Sequence, residues 1–141
     1  MTLPELPAFV HGREEIDGFT LYRSGGPRDQ REVGCVVLVT VDTDDETAAR
    51  AWVDSVFVAL ASEPNPHPGG ISAAFHIRED GRQVINYAEW VRAQDHVDAL
   101  SDGNGVGSKT ADWRRVQNFP GARPAGVERY RPPVRAAAEV E

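Results

Sequence analysis

Two strand-like runs around one turn constrain this chain more than any other feature. Residues 71–79, ISAAFHIRE, and 82–91, RQVINYAEWV, flank the pair Asp80-Gly81. Asp-Gly between apolar alternating runs is a strong hairpin signal, because the two central residues of a type I′ turn need positive φ. Such a turn sets Ile77 opposite Val84, Phe75 opposite Asn86 and Ile71 opposite Trp90. Side chains alternate along a strand, so one face carries Ile71, Ala73, Phe75, Ile77, Val84, Asn86, Ala88 and Trp90. The other carries Ser72, Ala74, His76, Ile85, Tyr87, Glu89 and Val91. A one-residue slip would change the cross-strand partners. It would still leave Asn86 and Trp90 on a common face, four residues apart on one strand.

The flanking elements follow from pattern. CVVLVTV (35–41) is short and β-branched, as a central strand apolar on both faces requires. In the next segment Thr43 and Glu46 fit a capping box, and Asp44 and Asp45 suit the positive end of a helix dipole. Trp52, Val56 and Leu60, with Val53 and Phe57 beside them, form the apolar stripe of a helix over 46–62. Pro64, Pro66 and Pro68 end it. Beyond the hairpin, 92–102 reads as a short helix with Ala93, Val97 and Leu100 inward. DGNGVGSK is a loop, TADWRRVQNF a further turn or two capped by Ser108 or Thr110, and 126–134 a final strand.

The order β-α-β-β-α-(short α)-β is the split βαβ arrangement of an α+β, ferredoxin-like domain with an antiparallel sheet. It occupies residues 34–134, with 135–141 as a frayed tail. Residues 1–33, broken by Pro4, Pro7, Pro27 and Gly25-Gly26, read as an irregular extension with one possible strand at 19–23. Helices cover one face of the sheet. Ile85, Tyr87 and Val91 on the other predict burial against a second copy of the chain. GFTLYR (18–23) and GVERYR (126–131) share Gly, Tyr and Arg. Coincidence is one reading; the other is the last strand of a lost preceding domain, still able to pair at a sheet edge.

Composition narrows the function classes. A chain of 141 residues suits one domain and buries roughly 70% of its unfolded surface without staples. A formal charge of −7 disfavours nucleic acid and anionic membranes as partners. The single cysteine, Cys35, lies in an apolar run and reads as a small buried hydrophobe. No apolar stretch approaches the ~18 residues of a membrane span, and the N-terminus lacks a signal-peptide pattern, so the expected location is the cytoplasm. No two histidines have metal-ligand spacing, so no metal site is expected.

HPGGISAAFHI, the Asp80-Gly81 turn, QVINYAEW and the following His96, Ala99 and Leu100 resemble the antibiotic-biosynthesis monooxygenase family. AWVDSVFVAL (51–60) and DWRRVQNFPG (112–121) are similar to it too. The resemblance covers about residues 33–132, and in particular the C-terminal half of two-domain bacterial members, with YRSGGPRDQREVGCVV as the linker. It implies the dimeric α+β barrel, a homodimer, and oxygenation of an aromatic polyketide, anthrone to quinone, with O₂ and without metal, haem or flavin. It implies an Asn and a Trp spaced N-x-x-x-W on one strand, here Asn86 and Trp90. An Arg assists in some members; the spacing allows Arg114 or Arg115, and Trp113 and Arg114 join the expected substrate contacts. Haem-degrading relatives carry an Asn on the first strand and a His about ten residues after the Trp. Here CVVLVTV has no Asn, and the corresponding residue is Leu100.

Triplet O₂ reacts poorly with closed-shell organics, so such an enzyme must make its substrate electron-rich by removing a proton. Trp90 offers a face for stacking. Asn86 offers a donor for the developing oxyanion, and otherwise stands as a buried carboxamide in need of a partner. Trp52, Phe57 and Phe75 would complete an apolar cavity. His96 is the candidate proton acceptor; its alternative is a helix-surface histidine flanked by Asp95 and Asp98. His76 points toward the expected subunit interface, and the glycines of DGNGVG would serve a lid or an ordinary surface loop. The expected function is a cofactor-independent oxygenase of a polycyclic aromatic. A non-oxidative polyketide cyclase and a non-catalytic ligand-binding module of the same fold are the alternatives.

Overall fold

The computed structural model describes residues 2–26, 30–62, 67–101 and 110–133. Strands β1 (Val10–Gly12), β2 (Glu15–Ile16) and β3 (Phe19–Gly25) precede β4 (Cys35–Thr43) and helix α1 (Glu46–Ser62). Then come β5 (Gly70–Arg78), β6 (Gln83–Trp90), α2 (Ala93–Ser101), α3 (Ala111–Gln117) and β7 (Ala122–Tyr130). One antiparallel sheet has the order β3-β5-β6-β4-β7, and β1 and β2 form a separate small hairpin. From β4 onward this is the α+β ferredoxin-like arrangement that the sequence pattern implies. The DGNGVG loop, the Ser108 cap and the 135–141 tail lie outside the described residues.

The β5–β6 hairpin keeps the predicted pairs Ile77–Val84 and Phe75–Asn86. Its turn differs from the two-residue reading. The Gly81 N–H donates to the Arg78 carbonyl at 2.8 Å, so the tight turn is Arg78–Gly81, with Gly81 at φ +73° closing it. At the far end Trp90 stands opposite Gly70, not Ile71, because the register shifts between Gly70 and Ser72. Ile71 is the extra residue of that irregularity.

Helix α1 spans the predicted 46–62, but its cap is not the expected Thr43–Glu46 box. Asp45 Oδ1 accepts the Ala48 N–H at 2.8 Å, while the Thr43 hydroxyl donates to the Gly81 carbonyl at 2.6 Å. Thr43 thus joins the hairpin turn to the helix start. The approach is close: a Cβ on Gly81 would lie 2.4 Å from the Glu46 nitrogen.

Both faces of the three central strands β5, β6 and β4 are buried, while the edge strand β7 is largely exposed. Trp52, Val53 and Val56 of α1 and Trp113 and Val116 of α3 pack on Phe75, Ile77 and Val84. On the opposite face Val36, Leu38, Ala74, Ile85 and Tyr87 meet Val10 and Ile16 of the β1–β2 hairpin. Tyr87 is 1% and Ile85 3% exposed. The cover expected from a second copy of the chain is supplied by its own N-terminal segment. Residues 1–33, expected to be irregular, hold three strands because their few apolar side chains meet this face. Polar contacts support the docking. Arg13 Nε donates to Ser72 Oγ at 3.0 Å, and the Arg13 carbonyl accepts from His76 Nε2 at 2.8 Å. His76, placed by sequence at a subunit interface, is therefore held inside the chain. The predicted strand 19–23 extends to Gly25 and pairs with β5 at the sheet edge. No described helix is long and apolar enough to cross a membrane.

Ile16→Ala is expected to lower the unfolding free energy by about 2–4 kcal/mol, the range for truncating a buried aliphatic side chain. Urea denaturation reads this. A loss below about 0.5 kcal/mol, as at a surface position, would show that the segment does not seal the sheet.

Candidate functional site

The register of β6 decides what lies between sheet and helices. Asn86 sits between Val39 on β4 and Phe75 on β5, and two residues on, Ala88 sits between Val37 and Ala73. Small side chains at Ala73 and Ala88 leave space that Trp52, Val56 and Leu60 of α1 do not fill. The result is a cavity of about 270 Å³, lined also by Trp90, by His96, Ala99 and Leu100 of α2, and by Trp113 of α3. Gly25 and Gly26 line it as well. A Cβ on Gly26 would lie 2.7 Å from the Ile71 carbonyl oxygen, and one on Gly25 2.9 Å from the Phe57 ring, so bulkier residues would not seat here.

Asn86 is a polar group on a largely apolar wall. Its Oδ1 is buried, and among the described residues it has no hydrogen-bond partner. Such an orphan acceptor costs roughly 1–3 kcal/mol, which only a hydrogen-bond donor reaching it would recover.

Trp90 is half-buried. The ring centroid of His96 lies 5.2 Å from it and that of His67 5.9 Å. Arg31 holds the His67 loop by donating to the carbonyls of Pro68 and Gly70.

His96 is 6% exposed, not the surface histidine of the alternative reading. Arg129 Nε donates to its Nδ1 at 2.9 Å. Burial, and then the Arg129 charge, hold its pKa down from 6.5 to about 4. An arginine keeps its protons, so Nδ1 is the acceptor and the neutral ring carries its hydrogen on Nε2. His96 therefore presents a donor, where the sequence reading expected a proton acceptor. His67 has the same polarity, since its Nδ1 accepts the Gly69 N–H at 3.0 Å. Glu89 touches the cavity wall from the other face of β6, where it accepts the Ser72 hydroxyl at 2.6 Å and lies 3.8 Å from Arg13 Nε.

The expected aromatic contacts divide. Trp52, Phe75 and Trp113 line the cavity. Trp52 Nε1 donates to the Val116 carbonyl at 3.3 Å and ties α1 to α3, while Thr110 caps the helix that carries Trp113. Phe57 stands one layer back, against Phe75 at 5.3 Å and beneath the Arg23 guanidinium at 4.1 Å. Arg114 is exposed on α3 and away from the cavity, as is Arg115. The cation bonded to His96 is Arg129. It pairs with Val37, which pairs with Ala88, so Arg129 lies on the cavity face. Only the adjacency of β7 and β4 reveals this, and no local motif encodes it.

Two further clusters lie on the described residues. His67, Asp95 and Asp98 place ligand-type atoms within 4.8 Å of one another, although no histidine spacing announces it. Asp95 is taken by Arg92 at 2.9 Å, which holds its carboxyl below the usual range, and Asp98 by Gln94 at 2.8 Å. His11, Glu15 and Asp17 are exposed, with His11 bonded to Asp17 at 2.9 Å. A larger open depression of about 460 Å³ lies beside β3, among Tyr22, Glu46, Arg50, Arg78 and Glu79. Arg50 and Glu46 satisfy each other there at 2.7 Å.

No family model matches the chain. A stretch of 23 residues is 61% identical to tetracenomycin-F1 monooxygenase of Streptomyces glaucescens, and spans 16% of this chain and 20% of that protein. The fold is similar to the monooxygenase from the gene ActVA-Orf6 of Streptomyces coelicolor, solved in complex with nanaomycin D. The TM-score is 0.57 at 24% identity, over 74% of this chain and 91% of that one. A heme-degrading enzyme from Listeria monocytogenes gives 0.55 at 14% identity, over 94% of this chain and 84% of the other. A ferredoxin-fold protein of that organism related to antibiotic biosynthesis monooxygenases gives 0.54 at 14%, over 83% and 65%. The chain has the ferredoxin-like fold of the antibiotic biosynthesis monooxygenases.

The His96 environment predicts a pH dependence. The unfolded chain protonates this residue near its ordinary 6.5, the folded chain only at about 4. The stabilisation is thus present above the unfolded value and is lost as pH falls through the folded one, by up to about 3 kcal/mol. His96→Gln removes it. Urea titrations at about pH 7 and about pH 4 should show the wild-type advantage over the variant shrinking by that order; a constant difference would mean that His96 is not held neutral.

Proposed function

We propose that this domain is a cofactor-independent oxygenase that converts an anthrone-type ring of a polycyclic aromatic polyketide to the quinone with O₂. The observation that carries the reading is Asn86, whose buried Oδ1 has no hydrogen-bond partner among the described residues, on the wall of an aromatic-lined cavity. The volume of about 270 Å³ lies near the lower edge of small-molecule cavities, roughly 300–1,000 Å³. A monooxygenase of the same fold that holds nanaomycin D supports the substrate class, as does the stretch shared with tetracenomycin-F1 monooxygenase.

The reaction needs no external reductant. A ring CH₂ and O₂ give a ring C=O and water; one oxygen atom stays, and the substrate supplies all four electrons. Loss of one C–H proton gives a delocalised carbanion whose charge rests largely on the ring oxygen. One electron passes to O₂, the radical pair joins as a peroxide anion that takes up the proton lost earlier, and loss of water from the hydroperoxide leaves the ketone. Trp90 stacks on the ring, the NH₂ of Asn86 and the Nε2–H of His96 hold the oxyanion in a water-poor site, where fixed donors act most strongly, and the Asn86 Oδ1 accepts from a ring hydroxyl of the substrate. The solvent-facing position of Arg114 favours a second reading, a ligand-binding module of the same fold without turnover.

Chelator-treated protein mixed with dithranol in air separates the two. The expected outcome is quinone formation and O₂ uptake above the spontaneous rate, with Asn86→Ala lowering kcat by about 10²-fold. Trp90→Phe should lower it as well, and Arg114→Ala should leave it unchanged. Tight binding without acceleration would replace the oxygenase with the binding module.

A further inference from the structure

We infer that a fused-ring ligand lies with its long axis across the strands, in a trough whose floor is the row Ala73, Ala88 and Val37, and that Ala73 limits the number of its rings. The inference rests on the aromatic ligand proposed above and adds its orientation and its length.

The ladder pairings draw the floor. Gly25 of β3 pairs with Ala73 of β5, Ala73 with Ala88 of β6, Ala88 with Val37 of β4, and Val37 with Arg129 of β7. Directly paired residues share a face, so this row crosses the whole sheet on the side that meets the helices. Side chains shrink along the hairpin toward it: Ile77 pairs with Val84, Phe75 with Asn86, then Ala73 with Ala88. Over Ile77, Val84 and Phe75 helix α1 packs into a core. Over Ala73 and Ala88 no side chain is long enough to meet it, and the cavity of about 270 Å³ opens. Ala73 is only half-buried although β5 has a strand on either side, and it lines this cavity.

The neighbouring rows make the walls. On one side Phe75, Asn86 and Val39 pair in a line; on the other Trp90 pairs with Gly70 and Cys35. Both walls run across the strands, parallel to the floor. Along β6 a ligand is stopped by Asn86 one way and Trp90 the other. From Ala73 to Val37 the floor carries no side chain larger than valine. Neighbouring strands stand about 4.8 Å apart, so this floor is about 10 Å long, close to three fused rings in a line. The outer positions of the row are taken. A Cβ on Gly25 would lie 2.9 Å from the Phe57 ring, and Arg129 is bonded to His96 at 2.9 Å. Small residues alone would be packing space. The buried Oδ1 of Asn86, unpartnered among the described residues, stands on the wall and marks the space as one built for a ligand.

Ala73 is the β3 end of the floor and Ala88 its centre, which gives the test its pattern. The ligands are 1,8-dihydroxyanthraquinone, with three rings in a line, and 8-hydroxy-1-tetralone, with two; binding is measured, so turnover is not required. In ¹H–¹³C spectra of the wild type the tricycle should move the methyl signals of Ala73, Ala88 and Val37 together. Movement at Ala88 with Ala73 and Val37 unmoved would set the long axis along β6 and overturn the inference, with the aromatic site left standing. Ala73→Val should weaken the tricycle at least about tenfold and the bicycle less than about threefold, while Ala88→Val should weaken both at least about tenfold. Valine suits a strand, and the wild-type spectra decide the orientation without any variant. An Ala73→Val protein that loses both ligands equally, or neither, overturns the role of Ala73 and keeps the aromatic site. Failure of the wild type to bind either ligand overturns the aromatic site and this inference together.

Discussion

β6 is the middle strand of a five-stranded sheet, and neither of its faces meets water freely. Everything else in the molecule answers to that constraint. Alternation sends Val84, Asn86, Ala88 and Trp90 to the helices and Ile85, Tyr87 and Glu89 to the N-terminal hairpin. The cavity and its seal are thus opposite sides of one backbone. A bare sheet face would expose Tyr87 and Ile85, each worth about 1.5–3 kcal/mol when buried. It would also loosen the strand that positions Asn86 and Trp90. The β1–β2 hairpin is for this reason part of the site's construction, though it contributes no lining residue.

Charge near the cavity is local and does not follow from the net charge of the chain. A formal charge of −7 describes the whole molecule and its long-range field. Glu89 touches the cavity wall, and behind His96 lies the Arg129 guanidinium, brought by an edge strand to the buried imidazole ring. Burial makes that single contact strong, because few waters screen it. A hydrogen bond from arginine is also directional information: it settles which imidazole nitrogen accepts, and so which way the ring can act.

The sequence was a good guide where the interactions are local. The register of the hairpin, the span of α1 and the common face of Asn86 and Trp90 follow from periodicity and a turn signal within about twenty residues of chain. Errors arose where two local solutions compete. Thr43 could cap the helix or bond the turn, and Asp45, two residues closer, took the cap. Asp80-Gly81 fits a two-residue turn or a type I turn followed by a left-handed glycine, and both keep the same register. β1 and β2, three and two residues long, carry too few positions for any period to show.

By itself, then, the sequence determined the alternation of β6 and with it the pair Asn86 and Trp90, because strand geometry depends on near neighbours alone. It also determined the aromatic stripe of α1. Only the tertiary structure decided which arginine meets His96 and which nitrogen of His96 accepts. Arg114 and Arg129 are equally plausible as letters in a chain, but one lies on the outer side of a short helix and the other on a strand that pairs with β4. Strand adjacency between residues some ninety positions apart is set by global packing, and no local propensity carries it.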